Sequence, residues 1–129
     1  MTVLLAYSGK PAARRALDFA IEYSRMSGKP LYIYTSIASS KVAEQEEEMD
    51  KIKAYMKEAE DIAKSENIEV YTVIEPGSVG ENILSASTRF ESDLIVIGKS
   101  DKTILDRMVL GSVSQYVVNN AKCNVTIVH

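Results

Sequence analysis

Residues 93–98, Asp93-Leu94-Ile95-Val96-Ile97-Gly98, set four consecutive aliphatic side chains between an acid and a glycine. A run this short and this apolar reads as a strand buried on both faces, the kind a parallel sheet contains. Upstream, Val70-Tyr71-Thr72-Val73-Ile74 reads as a strand by its β-branched and aromatic content, with Glu75-Pro76-Gly77 as the turn out of it. Ser78-Val79-Gly80-Glu81 has capping-box spacing and opens a helix that turns Ile83, Leu84, Ala86, Ser87 and Phe90 inward. Downstream, a loop with a short helical turn from Ile104 to Leu110 leads to Gly111. A helix follows, with Val113, Tyr116, Val117 and Ala121 on one side, and Asn124-Val125-Thr126-Ile127-Val128 ends the chain as a strand.

The N-terminal half repeats the alternation. Val3-Leu4-Leu5-Ala6-Tyr7 is a buried strand, Ser8-Gly9-Lys10 a turn, and Pro11 suits the first position of a helix, where a missing N–H is no loss. Ala13, Ala16, Leu17, Ala20 and Ile21 form that helix's apolar face, and Gly28 and Pro30 end it. Leu31–Ile37 is a second strand, and residues 41–66 a long second helix. In that helix Val42, Met49, Met56 and Ala63 fall at seven-residue steps, with Ile52 and Ala59 between. Gln45 and Glu66 confine the stripe to the middle, which favours a helix packed on a sheet over a coiled coil. Glu46-Glu47-Glu48 is its solvated face.

The 129 residues suit one domain, 1–129. With 46% hydrophobic and 26% charged residues, the chain is neither disordered nor fibrous. A net charge of −3 lacks the basic footprint of a nucleic-acid binder, and no apolar run approaches the roughly 20 residues of a membrane span. The N-terminus lacks the basic start and apolar stretch of a signal peptide, so a cytoplasmic protein is expected. A single cysteine, Cys123, and a single histidine, His129, leave no internal disulfide and no histidine-based metal cage.

Strict strand–helix alternation implies an α/β fold: a five-stranded parallel sheet, doubly wound, with helices on both faces. Two strand orders are compatible with it, the commoner having its switch point beside strand 1. Ligands of such sheets bind outside the strands' carboxyl ends at that point, here the loops after Tyr7 and after Ile97. The second loop has the residues of an anion site. Gly98 lets backbone approach a ligand, Gly111-Ser112 begins a helix whose free N–H groups attract phosphate, and Ser100, Ser112 and Ser114 add hydroxyls. Lys99 and Lys102 supply positive charge.

These residues resemble the universal stress protein family, whose phosphate motif is Gly, two residues, Gly, nine residues, then Gly with Ser or Thr. Gly98, Asp101 and Gly111-Ser112 reproduce the spacing and keep two of the three glycines. Strand 1 running into Ser8-Gly9-Lys10, the Leu110-Gly111-Ser112-Val113 step and the Cys123–Val128 ending extend the likeness over the whole chain. The resemblance implies an adenine-nucleotide α-hydrolase-like sheet of order 3-2-1-4-5. It also implies a small dimeric stress-response protein, paired through strand 124–128, with a crevice for ATP and Mg2+. The implied site is Ala6, Tyr7 and Ser8, Ile37 after strand 2, then Ile97, Gly98, Ser100, Asp101, Gly111, Ser112, Val113 and Ser114.

Two departures weaken that site. Ser8 stands where nucleotide-binding members carry an aspartate, and Asp101 replaces the motif's second glycine, adding negative charge where phosphates would lie. A nucleotide-free dimeric interaction module of the same family is therefore the alternative, and a slow ATPase a third. Receiver and flavodoxin readings fail on Ser8-Gly9-Lys10-Pro11, and a Walker loop lacks its upstream glycine. No nucleophile–base pair is visible, so an enzyme is not expected.

Overall fold

The computed structural model describes residues 1–37, 42–99 and 111–129, with side chains for all of these except 42–45. Ser100, Asp101 and Lys102 and the helical turn expected over 104–110 lie outside the described residues, as does the side chain of Val42.

The chain runs β1 (Thr2–Ala6), α1 (Ala13–Ser27), β2 (Leu31–Ile37), α2 (Val42–Ser65), β3 (Val70–Pro76), α3 (Val79–Arg89), β4 (Ser92–Gly98), α4 (Ser112–Asn120) and β5 (Asn124–Val128). All strand pairs are parallel, in the order β3-β2-β1-β4-β5. The alternation of side chains splits the core in two. Val3, Leu5, Leu31, Ile33, Leu94 and Val96 meet Ala16, Leu17 and Ala20 of α1 and Ile52, Met56, Ala59 and Ala63 of α2. On the other face Leu4, Tyr34, Ile95 and Ile97 meet Ile83 and Ala86 of α3 and Val117 of α4. The seven-residue stripe of α2 is thus spent on the sheet, and Glu46, Glu47 and Glu48 are exposed.

Several ends differ from the sequence reading, each for a local reason. Pro11 does not open α1 as its first residue. A tight turn precedes the helix, with Ala13 N–H donating to Lys10 O (2.9 Å) and Arg14 N–H to Pro11 O (3.2 Å). Glu75 and Pro76 are not a turn but the last residues of β3, paired with Ser36 and Ile37. Proline is tolerated there because β3 is an edge strand. Ser78 takes the cap position of α3 in extended conformation, yet its hydroxyl makes no cap bond. On α4, Ser114 and Val117 are buried, while Val113 and Tyr116 stand exposed. Gly28, at φ 72°, closes α1 as expected, a left-handed position that favours glycine.

One polar knot ties β2, β3 and α3 together. Tyr34, 1% exposed, donates its hydroxyl to Glu75 Oε1 (2.9 Å), and Arg89 Nη1 donates to Glu75 Oε2 (2.9 Å), with Nη2 on the other oxygen. The Arg89 guanidinium, and then the Tyr34 hydroxyl, hold the Glu75 carboxyl below the usual range. A depressed carboxylate stabilises the fold above its unfolded pKa, about 4.3, and that contribution is lost as pH falls through the lower native value. Chemical denaturation from pH 7 down to 3 therefore shows a shallower loss of stability in Glu75→Gln than in the wild type. Parallel acid limbs would contradict the assignment.

Candidate functional site

The carboxyl ends of β1, β2 and β4 open into one cavity of about 820 Å3. Its floor is Ala6, Tyr7 and Ser8 from β1 and the loop after it, Tyr34, Thr35 and Ser36 from β2, and Ile97, Gly98 and Lys99 at the end of β4. Strand order explains the opening. β1 lies between β2 and β4, with α1 and α2 packed on one face of the sheet and α3 and α4 on the other.

The β4 side of the cavity is built for an anion. Gly111 is the N-cap of α4 in extended conformation (φ −62°, ψ 161°), and the first intrahelical bond runs from Gln115 N–H to Gly111 O (2.9 Å). The N–H groups of Ser112, Val113 and Ser114 consequently have no partner within the helix, and all three residues line the cavity. Together with the positive end of the helix dipole they form a site for negative charge. Lys10 and Lys51 line the same space, and Glu48 is the one carboxylate among the described lining residues.

Nine of the twelve residues expected from sequence line this cavity: Ala6, Tyr7, Ser8, Ile97, Gly98, Gly111, Ser112, Val113 and Ser114. Ser100 and Asp101 lie outside the described residues. Ile37 does not line it: as the last residue of β2 it is 4% exposed and packs in the core on the α1–α2 side. Gly98 also has a packing role. A Cβ there would stand 3.4 Å from Ala16 Cβ and 3.5 Å from Ala13 Cα, ordinary contact distances, so α1 lies against β4 with room for a methyl group.

The sequence reading missed the contribution of α2. Tyr55, with Ile52, Lys51 and Glu48, forms a wall of the cavity. Its ring meets Tyr7 edge-on (centroids 5.8 Å, planes at 72°), and its hydroxyl pairs with Thr35 Oγ1 at 3.1 Å. Burial raises the Tyr55 and Tyr7 pKa values, so both hydroxyls stay protonated at neutral pH. The spacing of α2 marked its core stripe, but nothing local tells that Tyr55 reaches β1 and β2.

The fit to a nucleotide is sound: the volume is that of a small-molecule site, with apolar walls and an anion-binding end. The described residues hold no cluster of three or more His, Cys, Asp or Glu able to cage a metal.

Comparison with known proteins agrees with this layout. The family model described as universal stress protein family matches residues 1–129. A universal stress protein of Methanocaldococcus jannaschii is 33% identical over 73 residues, 57% of this chain and 43% of that protein, so the match spans less than half of the relative's length. A solved universal stress protein from Archaeoglobus fulgidus superposes with a TM-score of 0.87 at 23% identity, over 100% of this chain and 98% of that one. A universal stress protein solved in complex with cAMP gives 0.78 at 25% identity, over 99% and 96%.

A Cβ at Gly98 already reaches contact with α1, so the two further methyl groups of Gly98→Val overfill the space between α1 and β4. We expect it to cost about 1–3 kcal/mol in denaturant unfolding, the usual range for overpacking. An unchanged midpoint would mean that the contact is not close.

Proposed function

The chain belongs to the universal stress protein family, and on that premise we propose that it is a small cytoplasmic regulatory protein that binds an adenine nucleotide without turning it over. The observation that carries the reading is the convergence of the β1 loop, the end of β4 and the N-terminus of α4 on one cavity of nucleotide size. In this reading the apolar strand ends and Tyr7 receive the base and sugar, and the α4 amides with Lys10 hold the phosphates. The bound cAMP of one solved relative supports the nucleotide class, and ATP carrying Mg2+ is the ligand we favour. Asp101, in the position of the motif's second glycine, adds a negative charge to the phosphate motif, and on this reading weakens the affinity. We read the site as a switch rather than a catalyst because no nucleophile–base pair stands out among its described lining residues.

We also propose that the protein works as a homodimer through β5. β5 is an edge strand whose Val125, Ile127 and Val128 are only partly covered, and pairing would satisfy its open ladder. The exposed Val113, Tyr116 and Val118 of α4, the helix packed beside it, favour the same role in association, and they keep a nucleotide-free interaction module as the second reading.

Two measurements test these proposals. Thermal unfolding with Mg-ATP at one hundred times its dissociation constant should add about 2.7 kcal/mol, a rise of several degrees, and Asp101→Gly should reach the same rise at lower ATP. No rise in either protein contradicts nucleotide binding and leaves the interaction module. Light scattering should return twice the chain mass at micromolar concentration; a monomer would contradict pairing through β5.

A further inference from the structure

Tyr55 makes, within the cavity, the contacts that a planar ligand ring would make. Its ring lies flat against Gly9, so closely that a Cβ built on that residue would overlap Cγ and both Cδ atoms. Gly9 has φ +73°, a conformation suited to glycine, and the absent side chain leaves its backbone as a bare shelf. Ser8 and Lys10 line the cavity while Gly9 between them does not, because Tyr55 covers it. Tyr7 meets the same ring in an edge-to-face contact (centroids 5.8 Å), and the hydroxyl pairs with that of Thr35, itself 8% exposed, at 3.1 Å. An edge-to-face aromatic contact and a hydroxyl at the edge of an otherwise apolar surface suit a planar ligand ring.

The strand order separates this corner from the anion end. Tyr55, Gly9 and Thr35 gather at β1 and β2, whereas the α4 N-terminus stands beside β4, across β1. We propose that Tyr55 is the chain's own occupant of the ring-binding corner and so determines specificity. A planar base enters only by displacing it, while the phosphate-bearing part of a ligand does not compete with it. The proposal deepens, and rests on, the reading of this cavity as a nucleotide site.

The test titrates wild type and Tyr55→Ala, followed by amide NMR and thermal unfolding, with three probes: adenosine, inorganic tripolyphosphate and Mg-ATP. Adenosine should bind the variant at least about tenfold more tightly, since the ligand recovers an aromatic pairing and a hydrogen bond that Tyr55 otherwise holds. Tripolyphosphate should bind the two proteins alike. Equal adenosine affinity, or weaker binding by the variant, overturns the proposal; the latter would make Tyr55 a stacking surface for the ligand.

The two levels of the account fail separately. Mg-ATP that binds the wild type well, with no gain of adenosine or ATP affinity in the variant, leaves the nucleotide reading standing and removes the Tyr55 role. Mg-ATP that binds neither protein, beside an adenosine gain in the variant, does the reverse. No binding of any probe to either folded protein removes both. Should Tyr55→Ala fail to fold, Tyr55→Phe keeps the ring on Gly9 and loses only the Thr35 bond. It should then gain about two- to tenfold for adenosine, the worth of one hydrogen bond, and no gain there overturns the proposal.

Discussion

Everything at the functional end of this molecule depends on the burial of β1 on both faces and both edges. Val3, Leu4 and Leu5 are fully buried, pairing with β2 on one side and β4 on the other. The buried middle of a strand so placed must be apolar, and its neighbours must be covered by helices on both faces of the sheet. α1 and α2 take one face, α3 and α4 the other. Above the carboxyl end of β1, a space remains between the described elements. The cavity is the geometric residue of that constraint, and α4, starting from Gly111 beside β4, delivers its unpaired amides into it.

The fold was legible in the sequence because its determinants are local. The aliphatic run of β4, the Ala-rich face of α1 and the apolar middle of α2 each carry their own period, and β2 and β5 have the bounds that their composition indicated. What misled was context beyond the local window. Glu75-Pro76 reads as a turn by residue type, but as an edge strand β3 gives a proline room to continue the ladder to Ile37. Ser78 occupies its expected cap position without the expected bond, and Glu81 only places a charge in the first turn of α3. Val113, Tyr116 and Val117 fall on one apolar face by spacing, but only Val117 is buried, while Val113 and Tyr116 remain substantially exposed.

The site was legible in part, and for a related reason. Glycines and serines at strand and helix ends announce a phosphate-type corner, since backbone N–H groups do the binding and their positions follow from the topology. The wall opposite is made by side chains brought from a distance. Tyr55 meets Tyr7 and Gly9 across more than forty residues of chain, and periodicity had already assigned its helix to the core. Ile37 shows the converse: the resemblance implied a lining residue, but at the end of β2 it is buried in the core, while Thr35, on the same face of the strand, does line the cavity.

The central claim is that one cavity, bounded by the end of β1 and the start of α4, receives a nucleotide. Amide chemical-shift mapping of the wild type with Mg-ATP tests it most directly. The account predicts that Ser112, Val113 and Ser114 shift together with Tyr7, Ser8 and Gly98, on a single saturation curve, while β3 and the last turns of α2, from Asp61 to Ser65, stay still. Saturable shifts confined to other residues, or none at millimolar ligand, would contradict it.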